Sequence, residues 1–188
     1  MATQSVIHRT RQSRSRKALA PEEILKVLKT ASQSKRNLAM ILLAYRHGMR
    51  ASEVCELRLS DLDLKNGQIT IRRLKGSLTT TQPLTDHAGQ PLLSEKRVLR
   101  AWLAERHDAS DFVFASQKGG RIHRSQFLRM FQSVAERAGL PSDRRHPHCL
   151  KTRAWILSGG GQRQSGFCQG GFRTQEHRVH SHLRGSNG

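Results

Sequence analysis

The stretch "HGMRASEVCELRLSDLDLKNGQITIRRLKG", His47 to Gly76, changes its periodicity twice. Gly48 is a natural helix stop. A short helix is expected to follow, with Ser52 near its start and Val54 and Leu57 facing inward. Then the period drops to two: Ile69 and Ile71 alternate with Thr70 and Arg72 behind Asn66-Gly67, the residue pair of a two-residue hairpin turn. A helix end, a short helix and a hairpin in direct succession point to an α+β domain.

Outward from this stretch the chain is mostly helical. Leu38, Ile41, Leu42 and Tyr45 have the i, i+3, i+4, i+7 spacing of a helix that Gly48 ends. Before it, Pro21-Glu22-Glu23 opens another helix, because a proline and two acids suit the free N–H groups of a first turn. Its apolar stripe is read as Ile24, Leu25 and Leu28. Downstream, "LTTTQPL" (Leu78–Leu84) adds a third strand. Ser94 is expected to cap a helix that buries Val98, Leu99, Trp102 and Leu103. "DFVF" (Asp111–Phe114) is a short apolar segment, and Gly119-Gly120 is a turn. Phe127, Phe131, Val134 and Ala138 form a last helical stripe before Gly139. The expected fold is therefore α+β and mostly helical, with a small antiparallel three-stranded sheet.

The charge indicates a partner. The 188 residues include 33 Lys and Arg against 14 Asp and Glu, a net charge of +19. Such an excess opposes compaction by self-repulsion and favours a polyanion. Nucleic acid gains most from it, since each neutralised phosphate releases a condensed counterion. Arg9, Arg11, Arg14, Arg16 and Lys17 crowd into residues 1–18, which read as a flexible basic arm able to lie along phosphates. Cys55, Cys149 and Cys168 make neither a disulfide framework nor a paired metal motif. The chain shows no signal-peptide core and no apolar run of membrane-spanning length, so a cytoplasmic location with no membrane partner is expected.

Four polar features fall at element junctions: Arg50 in "HGMRASEVCELR", Lys75 in "RRLKGS", and His148 and Lys151 in "HPHCLK". In this order they resemble the catalytic domain of the tyrosine recombinases, the phage-integrase family, over about residues 20–151. The resemblance is nearest to the short recombinases that invert fimbrial promoter switches. "HGMRASEVCELRLSDLDL" is similar to the family's first arginine box, "IRRLKGSLTTTQPL" to its lysine hairpin, and "HPHCLK" to its H-x-x-R box.

The resemblance implies a reaction and a set of roles. A tyrosine oxygen attacks a phosphodiester, giving a 3′-phosphotyrosine and a free 5′-hydroxyl, with no metal and no cofactor. Charge developing on the phosphate then needs preorganised cations. Arg50 would offer a planar fork matched to two phosphate oxygens. Lys75 would protonate the leaving 5′-oxygen, and His148 would share a proton with the nucleophile or donate to phosphate. Lys151 stands where the family usually has a second arginine, keeping the charge without the bidentate fork. Double-stranded DNA is the implied partner, touched by Arg50, Lys75, Arg14, Arg16 and Lys17, with self-assembly on DNA.

The sequence departs from the pattern after Lys151. The family's L-G-H-x-x-x-x-x-T segment and its nucleophilic Tyr are not found; the chain's one tyrosine, Tyr45, falls on a helical apolar stripe. From Gln162 to Gly188 helical spacing gives way to Gly, Arg, His and Ser. The expected organisation is an arm over 1–18, a partial catalytic domain over 19–161 and a tail over 162–188. A message read one nucleotide back from Gln164 onward would permit the family's I-R-x-L-x-x-x-L-G-H spacing, so a frameshift near Gly159–Gly161 is expected. Three functions compete: a recombinase without its covalent catalyst, a DNA-binding module that acts as a directionality factor or competes with an intact recombinase, and a basic structural protein of the ribosome or nucleoid, against which the long match around Arg50 counts. Apolar surface is expected to be exposed around Trp155 and the Phe127–Val134 helix.

Overall fold

The computed structural model describes residues 18–73 and 78–150. Its order is α1 (Pro21–Ala31), α2 (Lys35–Arg46), α3 (Ala51–Glu56), β1 (Leu62–Asp63), β2 (Gln68–Ile71), β3 (Thr80–Pro83), α4 (Glu95–Glu105) and α5 (Arg124–Arg137), with short 3-10 turns between. The strands form one antiparallel sheet in the order β1-β2-β3.

α1 and α2 each begin where a side chain accepts from a backbone N–H of the first turn or its cap. Glu23 Oε2 accepts from the Ala20 N–H at 2.8 Å before α1, and Ser34 Oγ accepts from the Asn37 N–H at 3.3 Å before α2. At the far end of α2, Met49 N–H reaches back to Ala44 O at 3.1 Å, and Gly48 takes a φ of +58°; this left-handed turn aims the chain into α3.

The core lies among the helices, with α2 at its centre. Every residue of α2 from Leu38 to Tyr45 is buried. α1 packs on α2 and α5, α3 on α5, and α4 on α2. Ile24, Val27, Leu28 and Ala31 are the buried face of α1. Leu25, read as part of that stripe, is 45 % exposed, since a step of 100° from Ile24 takes it off the face that Val27 completes. Phe127, Phe131 and Val134 are buried against α1 and α3, so the expected exposed surface on this helix is not there. Trp155 falls outside the described residues.

Two further expectations are corrected. The hairpin register pairs Asp63 with Gln68 across a four-residue loop, not a two-residue turn. Asp63 accepts from the Asn66 N–H at 2.8 Å and from its side-chain amide at 2.6 Å, which widens the loop, while Gly67 supplies the positive φ of +67°. Ser94 does precede α4, but its hydroxyl donates to Asp86 and does not cap the helix. The third strand is present as expected, with Ile69 opposite Gln82 and Ile71 opposite Thr80.

Candidate phosphate-binding site

Arg50 sits at the junction of α2 and α3, just past the left-handed Gly48. Glu53, three residues on, is buried with its side chain 0 % exposed. Its Oε2 accepts from the Arg50 N–H at 2.8 Å, and its Oε1 from Arg50 Nη1 at 2.7 Å. One carboxylate therefore starts the helix and fixes the guanidinium that stands over it. The Arg50 side chain stays 37 % exposed, so it is held without being hidden.

Glu53 also receives Arg73, which donates from Nη1 to Oε2 at 3.1 Å. Arg73 Nη2 donates to His47 O at 2.9 Å and Nη1 to Gly48 O at 3.4 Å. The strand that leaves the sheet is thus pinned to the loop carrying Arg50, two residues before Lys75. A buried carboxylate is tolerated because two arginines and a backbone N–H compensate it.

Behind this pair lies a second buried polar group. His47 Nδ1 is 2.8 Å from Gln82 Oε1 on β3, and Nε2 is 2.7 Å from Glu95 Oε1 at the start of α4. Glu95 Oε2 accepts from the Thr85 N–H at 2.9 Å and its hydroxyl at 2.6 Å, and Arg46 donates to that hydroxyl at 2.9 Å. Burial alone would push the Glu95 carboxyl up, but the contacts with His47 and Thr85 outweigh it and hold the group below the ordinary carboxylate range. The loop before Arg50 is thereby braced against both the hairpin and α4.

Of the residues singled out in the sequence, Arg50 and His148 are described. His148 lies exposed on the turn Pro147–Leu150, its ring stacked on His146 with centroids 5.1 Å apart. That turn packs on α2, and its Cys149 O accepts from the Leu19 N–H at 3.1 Å. Lys75, Lys151, Arg14, Arg16, Lys17 and the stretch from Gln162 to Gly188 lie outside the described residues. Tyr45 is buried on α2, where desolvation raises its hydroxyl pKa, partly offset by Arg46. Among the described residues no cluster of three His, Cys, Asp or Glu side chains could hold a metal, and no helix is long and apolar enough to cross a membrane.

Glu53, Arg73, His47 and Glu95 went unread in the sequence. The Arg50-x-x-Glu53 spacing is a capping-box signal and could have exposed the first. The other three reach partners too distant in sequence for spacing to show.

The phage integrase family profile matches residues 17–161. The chain belongs to this family. It is 41% identical over 134 residues to the type 1 fimbriae regulatory protein FimB of Escherichia coli K12, covering 69% of this chain and 63% of that one. With FimE of the same strain it shares 39% over 121 residues, 62% of this chain and 57% of the relative. The chain therefore spans less than two thirds of these curated relatives. Its fold is that of a tyrosine recombinase catalytic domain. A XerA recombinase superposes with a TM-score of 0.61 at 24% identity over 71% of this chain and 47% of the other. A lambda integrase dimer bound to a COC′ core site does so with 0.58 at 24% identity, over 73% and 39%.

Proposed function

We propose that this chain is the phosphate-gripping part of a site-specific DNA recombinase, binding double-stranded DNA through Arg50 and forming no covalent bond to it. The observation that carries the reading is the Glu53 platform: a buried carboxylate that presents one half-exposed guanidinium and anchors a second arginine beside it. A fork so fixed suits two oxygens of one phosphate, because its orientation cost is met in the fold.

The family resemblance supplies the remaining roles. Lys75 acts as acid toward the 5′-oxygen, His148 as proton partner or phosphate donor, and Lys151 as a second cation. The arm with Arg14, Arg16 and Lys17 follows the backbone. Arg73 supports the first assignment, since it pins the chain near Lys75 to the Arg50 loop. Lambda integrase in this fold has been solved as a tetramer bound to a Holliday junction, which supports assembly of several copies on DNA.

The second reading, a competitor of an intact recombinase, is favoured by Tyr45. The one tyrosine of the 188 residues is buried in the core, where it cannot attack a phosphodiester. The test is a duplex carrying a nick beside the family's cleavage position, so that cleavage traps any adduct. Salt-dependent binding measured by anisotropy, lost in Arg50→Ala and not restored by Arg50→Lys, with no protein–DNA band on a denaturing gel, is expected. A covalent band would refute the non-covalent reading, and unchanged binding by Arg50→Ala would refute the site.

A further inference from the structure

A cleft of about 410 Å³ runs alongside α3, lined by Met49, Glu53, Arg58, Asp61, Phe112 and Arg121 among others. It shares the Glu53 wall with the Arg50–Arg73 pair. Its carboxylates are already matched. Arg121 pairs with Glu56, Arg72 holds Asp61 at 2.8 Å, and Glu53 serves Arg50 and Arg73. Arg58 is left over. Its guanidinium lies over the Phe112 ring, 5.2 Å from the centroid, with no carboxylate among the described residues bound to it. Its own N–H is tied to Asp61 at 2.9 Å, and its strand segment bridges Phe112, so the side chain starts from a fixed base.

We propose that Arg58 and this cleft take a second backbone phosphate of the DNA strand that Arg50 grips. The proposal rests on the DNA-binding reading above. Arg50 directly precedes the six residues of α3 and Arg58 follows them after Leu57, with about 9 Å of helix at 1.5 Å per residue in between. Phosphates of one strand wind around the duplex and lie farther apart in space than their rise along its axis, so a separation of this order is that of near-neighbour phosphates on one strand. Phe112 orients the fork from below while its outer edge stays open, the arrangement that lets an arginine hold a phosphate at small entropic cost. Binding here reads no sequence; it sets where along the backbone Arg50 comes to rest.

The test uses the full chain, a short labelled duplex of arbitrary sequence, and anisotropy across a salt series. Arg58→Ala should keep its melting temperature and lower the slope of log K against log salt by about 0.9, the worth of one phosphate. Arg58→Lys should recover that slope. A slope equal to the parent's in Arg58→Ala would overturn the proposal. So would a slope unrecovered in Arg58→Lys, which would mean that Arg58 acts only through its packing on Phe112. A melting shift produced by inorganic phosphate alone and abolished in Arg58→Ala would make the cleft a small-anion site and overturn the DNA assignment. No salt-dependent binding by the parent chain would bring down the DNA-binding reading itself.

Discussion

Replacing Glu95 by Gln exchanges one oxygen for an NH2 group inside a site where the carboxylate is 1 % exposed. Both oxygens are in use: Oε1 lies 2.7 Å from His47 Nε2, and Oε2 accepts from Thr85 twice. An amide has one acceptor oxygen. With its oxygen toward the two Thr85 donors, its NH2 meets the His47 ring, which accepts only through an unprotonated Nε2; turned the other way, the NH2 faces the Thr85 donors, which then lose their acceptor. An unsatisfied buried group costs about 1–3 kcal/mol, and breaking one side of a buried ion pair about 3–5 kcal/mol. Since the first arrangement keeps the contacts in neutral form, the loss is that of their charge assistance, about 1–2 kcal/mol, a large share of a total stability of about 5–15 kcal/mol.

Urea unfolding would read this as a lower midpoint with an unchanged m-value. The pH dependence adds a second readout. The folded Glu95 carboxyl is held below its ordinary range, so its contribution is present in full above the unfolded value of about 4.3 and is lost as pH falls through the lower folded value. The Glu95→Gln variant cannot lose it, and the gap to the parent should therefore narrow as the solution is acidified below about pH 4. A midpoint shift worth less than about 0.5 kcal/mol at neutral pH, or a gap that widens in acid, would refute the brace.

Two more predictions concern the interior. Phe131→Ala removes a ring that is 0 % exposed between α5 and its neighbours, and should cost about 3–5 kcal/mol in urea unfolding; a loss below about 1 kcal/mol would show that the stripe is not a packed core. Burial pushes the Cys55 thiol from 9.0 up to about 11, with Arg121 opposing the shift, so its thiolate fraction near neutral pH drops about a hundredfold. Native-state alkylation read by peptide mass mapping should leave Cys55 unmodified until denaturant is added, and ready labelling of Cys55 in the native chain would contradict its burial.

What could be read from the sequence was what periodicity encodes. The stripes on α2, α4 and α5 and the alternation of Ile69 and Ile71 are one-dimensional records of which face meets the core; the structure buries them except Trp102, Leu103 and Ala138, which are only partly buried against it. At Leu25 the spacing allows two faces, and the structure turns the residue outward. The hairpin turn departs from expectation for a different reason: Asn66-Gly67 favours a tight turn locally, but Asp63 captures Asn66 and closes a longer loop. Side-chain competition for a backbone donor of this kind has no period.

The polar partners follow the same logic. Arg50 could be named because it sits in a recognisable box, yet nothing in that box says what holds it still. Glu53 does so from one helical turn away, while His47 reaches Gln82 and Glu95 from another part of the chain. A buried acid is costly unless paired, and three of those here, Glu53, Asp61 and Glu95, each lie beside a cation. Two of these anchors, Glu53 and Glu95, bear on the segment His47–Arg50, one from α3 and one from α4. A guanidinium proposed to grip a phosphate gains from such bracing, because each rotamer left open would be lost again on binding. In the proposed reading the excess of positive charge would bring the chain to a polyanion, and the buried carboxylates would set how Arg50 meets it.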